Sequence, residues 1–101
     1  MTRPLRTIDR AAAEEIAIAA LGFVAADPVL LPRFLSITGI EASEIRSAAR
    51  APGFLAGVLQ FIAAHEPTLL AFAQAAGRNP DSIAAALRAL PGGDPRFDVQ
   101  P

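Results

Sequence analysis

The pair His65-Glu66 holds the residue types most able to do chemistry, because it joins the only histidine of the chain to a carboxylate. A histidine can act as a general base near neutral pH. Adjacent residues on a helix do not face each other, however, and the sequence places no nucleophile beside the pair. The alternative is a helix-end pair, in which His65 ends one helix and Glu66 caps the next. We expect this second arrangement and predict no catalytic residue.

Arginine side chains form the second candidate group. Guanidinium groups bind anions and carboxylates, so Arg46 and Arg50, together with His65 and Glu66, make up the candidate interaction or polar site. The alternative is a solvated face on which the arginines pair with neighbouring acidic side chains. The arginines on the short predicted helices are Arg33, Arg46, Arg50, Arg78 and Arg88.

Composition limits the remaining chemistry. The chain has no cysteine and one histidine, so disulfides and thiolate zinc sites are excluded, and we expect no metal site. Nine basic residues against ten acidic ones give a net charge of −1, which offers no general attraction for nucleic acid or anionic lipid. No glycine-rich loop follows a strand, so we expect no nucleotide cofactor.

A helix-turn-helix regulator that binds nucleic acid is the alternative function. The spacing of Ala73, Gly77 and Ile83 partly matches that motif. DNA-binding versions need basic or amide side chains at the start of the second helix, where this chain has mainly neutral or acidic residues such as Asp81 and Ala84. We therefore do not expect nucleic acid as a partner.

These residues must be positioned by helices, because the chain is rich in alanine, its mean hydropathy is +0.38 and no strand-period alternation is visible. Residues 52–64 pass without a charge, which predicts a central helix that is buried on nearly all sides. The longest uncharged run is too short for a membrane span, so we expect a single soluble helical domain over 1–101. The N-terminus lacks a signal-peptide core, and we expect the cytoplasm.

Proline, glycine and cap residues divide the chain into six predicted helices. Thr7 is a plausible N-cap of the first, which runs to about Ala26. Asp27-Pro28 predicts the cap and first residue of the second. Residues 1–6 and 92–101 are predicted to be mobile tails. The second predicted helix ends at Gly39. The third spans about 42–50 and the fourth spans 52–64. The fifth ends at Gly77, and the sixth starts at Asn79-Pro80 and ends near Leu90.

The sequence also resembles itself. Phe34, Gly39 and Ile45 return as Phe72, Gly77 and Ile83, all three at one constant offset in the numbering. This predicts two tandem three-helix repeats, about 16–53 and 54–91, packed long helix against long helix. Asp27-Pro28 matches Glu66-Pro67 at an offset one position longer.

The two repeats differ in charge. Residues 11–53 carry five acidic and three basic side chains, whereas 54–91 carry two of each. So few charges predict an exposed apolar patch on the second repeat, and with it a homodimer through that patch. The alternative is that the first helix and the tail cover the patch.

Four runs carry a resemblance to a known family: Leu-Gly-Phe-Val-Ala-Ala-Asp-Pro, Arg-Phe-Leu-Ser-Ile-Thr-Gly-Ile, Pro-Gly-Phe-Leu-Ala-Gly-Val-Leu and His-Glu-Pro-Thr-Leu-Leu-Ala-Phe. Over about residues 14–91 the chain resembles a small alphaproteobacterial family known as domain of unknown function 3572. The resemblance implies a short, helical, bacterial cytoplasmic protein and transfers no activity. We therefore predict an all-α bundle that acts as a non-enzymatic protein–protein interaction module, with its partner unidentified.

Overall fold

The structure, a computed structural model, describes residues 8–51 and 53–91, and these form helices without any strand. The predicted tails 1–6 and 92–101, the predicted cap Thr7, and Pro52 lie outside the described residues. In chain order the helices are α1 (Arg10–Ala25), α2 (Leu30–Thr38), a 3-10 turn (Ala42–Glu44), α3 (Ile45–Ala48), α4 (Phe54–Ala63), α5 (Glu66–Ala76) and α6 (Pro80–Ala89).

The N-cap of α1 is Asp9 rather than the predicted Thr7, and the Asp9 carboxylate accepts a hydrogen bond of 2.8 Å from the Ala12 amide. This cap satisfies one of the amides that a helix start leaves without an intrahelical partner. The buried side chains of α1 recur at helical spacing and form a stripe that packs against α4 and α6. They are Ala13, Ile16, Ala17, Ala20 and Val24.

Helix α4 is the central helix that the uncharged run predicts, and it packs against α1, α5 and α6. It starts slightly later than predicted, because Gly53 adopts a left-handed conformation at φ 87° and precedes the first helical residue, Phe54. Only Gln60 and Ala63 on this helix are exposed. Its buried residues are Phe54, Ala56, Val58, Leu59 and Ile62.

The two halves of the chain turn in the same way. Helices α1 and α2 meet at a bend of 112°, and α4 and α5 meet at the same angle. Helices α2 and α5 both end at a left-handed glycine, Gly39 and Gly77, which are separated by the same offset as Phe34 and Phe72. No described helix has by itself the length and hydropathy of a bilayer span; each bent pair reaches both only when its two helices are counted together.

Aromatic rings link the two halves in a reciprocal way. Phe23 of α1 lies 5.4 Å from Phe72 of α5, measured between ring centroids. Phe61 of α4 lies 5.4 Å from Phe34 of α2. The phenylalanine near the end of α1 thus packs on α5, and the phenylalanine near the end of α4 packs on α2.

The structure corrects the predicted bounds of the second and third helices. The third helix, expected over 42–50, divides into a 3-10 turn and one α-helical turn, and none of its side chains is fully buried. Helix α2 begins at Leu30 rather than at Pro28, and its N-cap is Val29 rather than the predicted Asp27, whose carboxylate accepts from the Val29 and Leu30 amides in the turn before the helix. Pro32 is tolerated because it lies in the first turn, where its missing N–H has no intrahelical role.

We predict that Phe34→Ala lowers the free energy of unfolding by about 3–5 kcal/mol, because the ring is 1% exposed and its removal leaves a cavity. The control is Ile37→Ala on the same helix, where the side chain is 68% exposed. Urea unfolding followed by circular dichroism measures both. A loss below about 1 kcal/mol for Phe34→Ala would mean that the core is wrongly assigned.

Candidate functional site

The start of α5 holds a polar pair, His65 and Thr68. Within the described part of the chain it is the only pair in which a predicted site residue contacts a buried polar side chain. His65 is the N-cap, with an extended backbone at φ −130° and ψ 106°. Its Nδ1 atom lies 2.8 Å from the Thr68 hydroxyl oxygen, at hydrogen-bond distance. Thr68 is 8% exposed and is the one buried polar residue among those described. The imidazole therefore supplies the partner that a buried hydroxyl needs.

This geometry corrects the predicted role of Glu66. Glu66 was expected to cap α5, but it is the first residue of that helix and His65 occupies the cap position. The match of Asp27-Pro28 with Glu66-Pro67 does not extend to the cap positions, because the N-cap of α2 is Val29 and that of α5 is His65. Glu66 is exposed in the first turn, where a negative charge interacts favourably with the helix dipole.

Thr68 is the residue that sequence reasoning missed. Its only signal was the spacing of three positions from the N-cap, since the pair joins two side chains and His65 makes no side-chain cap hydrogen bond to the backbone. Pro67 between them supports a helix start at this place. The Thr68 hydroxyl engages one of the two His65 ring nitrogens, Nδ1, and the pair lies at the start of α5.

The four predicted site residues do not converge. Arg50 lines a cleft of about 240 Å³ at the start of α4, beside Arg10, Glu14 and Leu90. Arg10 is bonded to Glu14 at 3.3 Å, the closest ion pair in the described part of the chain. Arg46 is exposed on α3, and neither Arg46 nor the His65-Glu66 pair lines this cleft or the two described next.

Two other clefts are formed by described residues. One, of about 490 Å³, lies between Ile8 and the outer side of α6, and its lining includes Asp81, Ala85 and Arg88. The other, of about 260 Å³, lies at the corner between α1 and α2, beside Val29 and Pro67. Among residues 8–51 and 53–91 no three potential metal ligands come together.

The exposed apolar side chains are placed differently from the prediction. A patch was expected on the second repeat, but three of the four large exposed residues lie before residue 54. The exposed residues of the second half are instead mainly polar or charged side chains and alanines, with Leu70 as the one large apolar residue among those described. The large exposed residues are Ile18 at 59%, Val29 at 64%, Ile37 at 68% and Leu70 at 48%.

Comparison with known proteins identifies a family. The family model described as "Protein of unknown function (DUF3572)" matches residues 10–93. No curated protein matches the chain, and no solved structure does. The matched segment takes in all six α-helices of the described residues.

We predict that His65→Ala lowers the free energy of unfolding by about 1 kcal/mol, because it leaves the buried Thr68 hydroxyl without its partner. In a Thr68→Val background the same change should cost clearly less, since no hydroxyl remains to be satisfied. Glu66→Gln is the control and should stay within about 0.5 kcal/mol. Equal costs for His65→Ala in both backgrounds would contradict the assigned hydrogen bond.

Proposed function

This chain belongs to the DUF3572 family of proteins of unknown function, and from that premise we propose that it acts without catalysis, by binding protein partners that include a second copy of itself. The family description supplies no activity, so the proposal depends on the surface. The observation that carries it is the outer face of α1.

The solvent-exposed face of α1 carries only apolar side chains between Glu15 and Asp27, as a buried helix face does. Between Glu15 and Asp27 the chain has no polar or charged side chain, yet much of this stretch is exposed. Ile18 is the large residue of the face. A contiguous apolar surface of this kind is typical of a protein-binding site. The exposed residues of the face are Ile18, Ala19, Gly22 and Ala25.

Gly22 is an argument that a binding partner approaches the backbone of α1 closely at this face. It lies in the interior of α1, where glycine costs about 1 kcal/mol of helix stability relative to alanine. A Cβ built on it would meet nothing within 4 Å, so the internal packing does not require glycine. A partner whose backbone or side chains press against α1 would require it, because a missing Cβ permits close approach.

We also propose that the bundle consists of two copies of one three-helix unit related by an approximate two-fold axis. The equal bends of 112°, the capping glycines and the exchanged phenylalanine contacts support this arrangement. In a two-fold pair residue i of one unit contacts residue j of the other and the reverse. The pairs Phe23–Phe72 and Phe34–Phe61 follow that rule within one chain.

We predict that the protein self-associates. Sedimentation velocity should show the mass rising from 10.5 kDa towards twice that value as concentration increases. The series should reach about 1 mM, where an association worth about −4 kcal/mol is half complete. A single species at the monomer mass throughout would remove self-association from the proposal.

We predict that the outer face of α1 binds a protein partner. Three baits are compared in extracts of the source cells: the native chain, Ile18→Glu and the control Arg33→Glu, which changes an exposed residue on α2. A specific partner should be retained by the native and Arg33→Glu baits and lost with Ile18→Glu, because a carboxylate on an apolar face must be desolvated on binding. Retention by all three baits would place binding elsewhere.

Nucleic-acid binding is the second candidate. Its support is the turn at Gly77, with Ala73 and Ile83 buried on either side as in a helix-turn-helix. The outer side of α6 offers one arginine and one aspartate, which is poorly matched to phosphate. A gel shift with duplex DNA at low salt separates the candidates, and retained DNA that is released by added salt would favour this one.

A further inference from the structure

Helix α6 presents an outer face that no other described helix covers. Its inner side packs on α1, α4 and α5 through buried residues such as Ile83 and Ala86. Asp81, Ala84 and Arg88 are exposed, and Ala85 is half-buried. At 100° per residue these four positions fall within an arc of about 100°, so they form one stripe along the helix.

The stripe has opposite charges at its ends and small residues in its middle. Asp81 lies in the first turn and Arg88 in the last, about 10 Å apart along the axis. Within residues 8–51 and 53–91, neither side chain has an ion-pair partner within 4 Å. The Asp81 backbone amide is bonded to the Asn79 side chain, but the Asp81 carboxylate makes no described hydrogen bond.

We propose that α6 pairs with α6 of a second copy in antiparallel orientation. A two-fold axis that passes between Ala84 and Ala85 places the stripe of one copy antiparallel to the stripe of the other. Asp81 of each copy then faces Arg88 of the other, and the alanines meet at the centre. Such self-complementarity is what a two-fold interface requires, and small residues at a helix crossing favour the shorter interaxial distances.

The cleft beside α6 gives the second helix a place to lie. It has a volume of about 490 Å³ and is bounded by Ile8 on one side and by the stripe on the other. Ile8, Ala84 and Ala85 supply apolar contact, and the charged side chains lie at the two ends. One face of a ten-residue helix is a small interface, so we expect a weak dimer that depends on salt.

The charges also have a role within a single chain. An acid in the first turn and a base in the last turn both interact favourably with the helix dipole. That role accounts for the sign of each charge, but it does not require the two side chains to share one face with two alanines between them. The inference rests on the proposed self-association and names the surface that mediates it.

The test uses two single reversals, Asp81→Arg and Arg88→Asp, in the full chain. Each should raise the dimer dissociation constant roughly tenfold or more, because two attractive contacts become two repulsive ones. An equal mixture of the two variants should form heterodimers, since arginine at positions 81 and 88 of one chain then faces aspartate at both positions of the other. Sedimentation velocity measures all samples, and circular dichroism checks that each variant is folded.

Arg50→Asp is the matched control, because Arg50 is the equivalent of Arg88 in the first half and is also exposed. It should leave the dimer unchanged. If the native chain dimerises and the reversals at 81 and 88 have no effect, another face forms the dimer, and the α6 pairing is wrong while self-association stands. Two monomeric variants that stay monomeric when mixed would also overturn the pairing. A native chain that is monomeric throughout removes the pairing together with the self-association.

Discussion

The packing of α1 against α4 is the contact on which the rest of this bundle depends. Helix α1 contributes small buried side chains to the core, among them Ala17 and Ala20, whereas α4 contributes larger ones such as Val58 and Leu59. Small side chains on one helix facing larger ones on the other let the two backbones approach closely without leaving voids. Both helices are too apolar to face water on the contact side, so separating them would expose most of the core.

The shorter helices follow from that contact. Each central helix ends at a corner and is continued by a helix that lies across the bundle, and a phenylalanine at each corner packs on the opposite half. Tilted and edge-to-face ring pairs at these distances add stability beyond the area that they bury. Helix α6 then covers the remaining side of α1 and α4, whereas the 3-10 turn and α3 bury little. This difference is why the two halves, although alike in their turns, are unequal in their packing.

The family, the all-α class and the positions of the six helices could be predicted from the sequence. These features depend on local chemistry: a left-handed glycine ends a helix at Gly39 and at Gly77, and Asn79 caps α6 through its own side chain. The cap at His65 could not be predicted in the same way, because its value comes from the burial of Thr68, which depends on packing. The placement of the large exposed apolar side chains could not be predicted either. Counts of charged residues indicate how much charged surface a segment has, but not which of its apolar residues, alanine or isoleucine, face the solvent. The candidate polar site failed to converge because Arg50 and His65 lie on turns whose relative positions are determined by the core.

The small side chains that cover the outer faces of α1 and α6 have a consequence for the thermodynamics of association. Alanine and glycine have no rotamers to lose, so a partner that docks on these faces immobilises side-chain torsions mainly at Ile18 on α1 and at Asp81 and Arg88 on α6. The opposing entropy would then come mainly from the lost rigid-body freedom of the two chains. A surface of this composition suits contacts that form and dissolve readily, because little internal motion must be frozen on binding and little is regained on release.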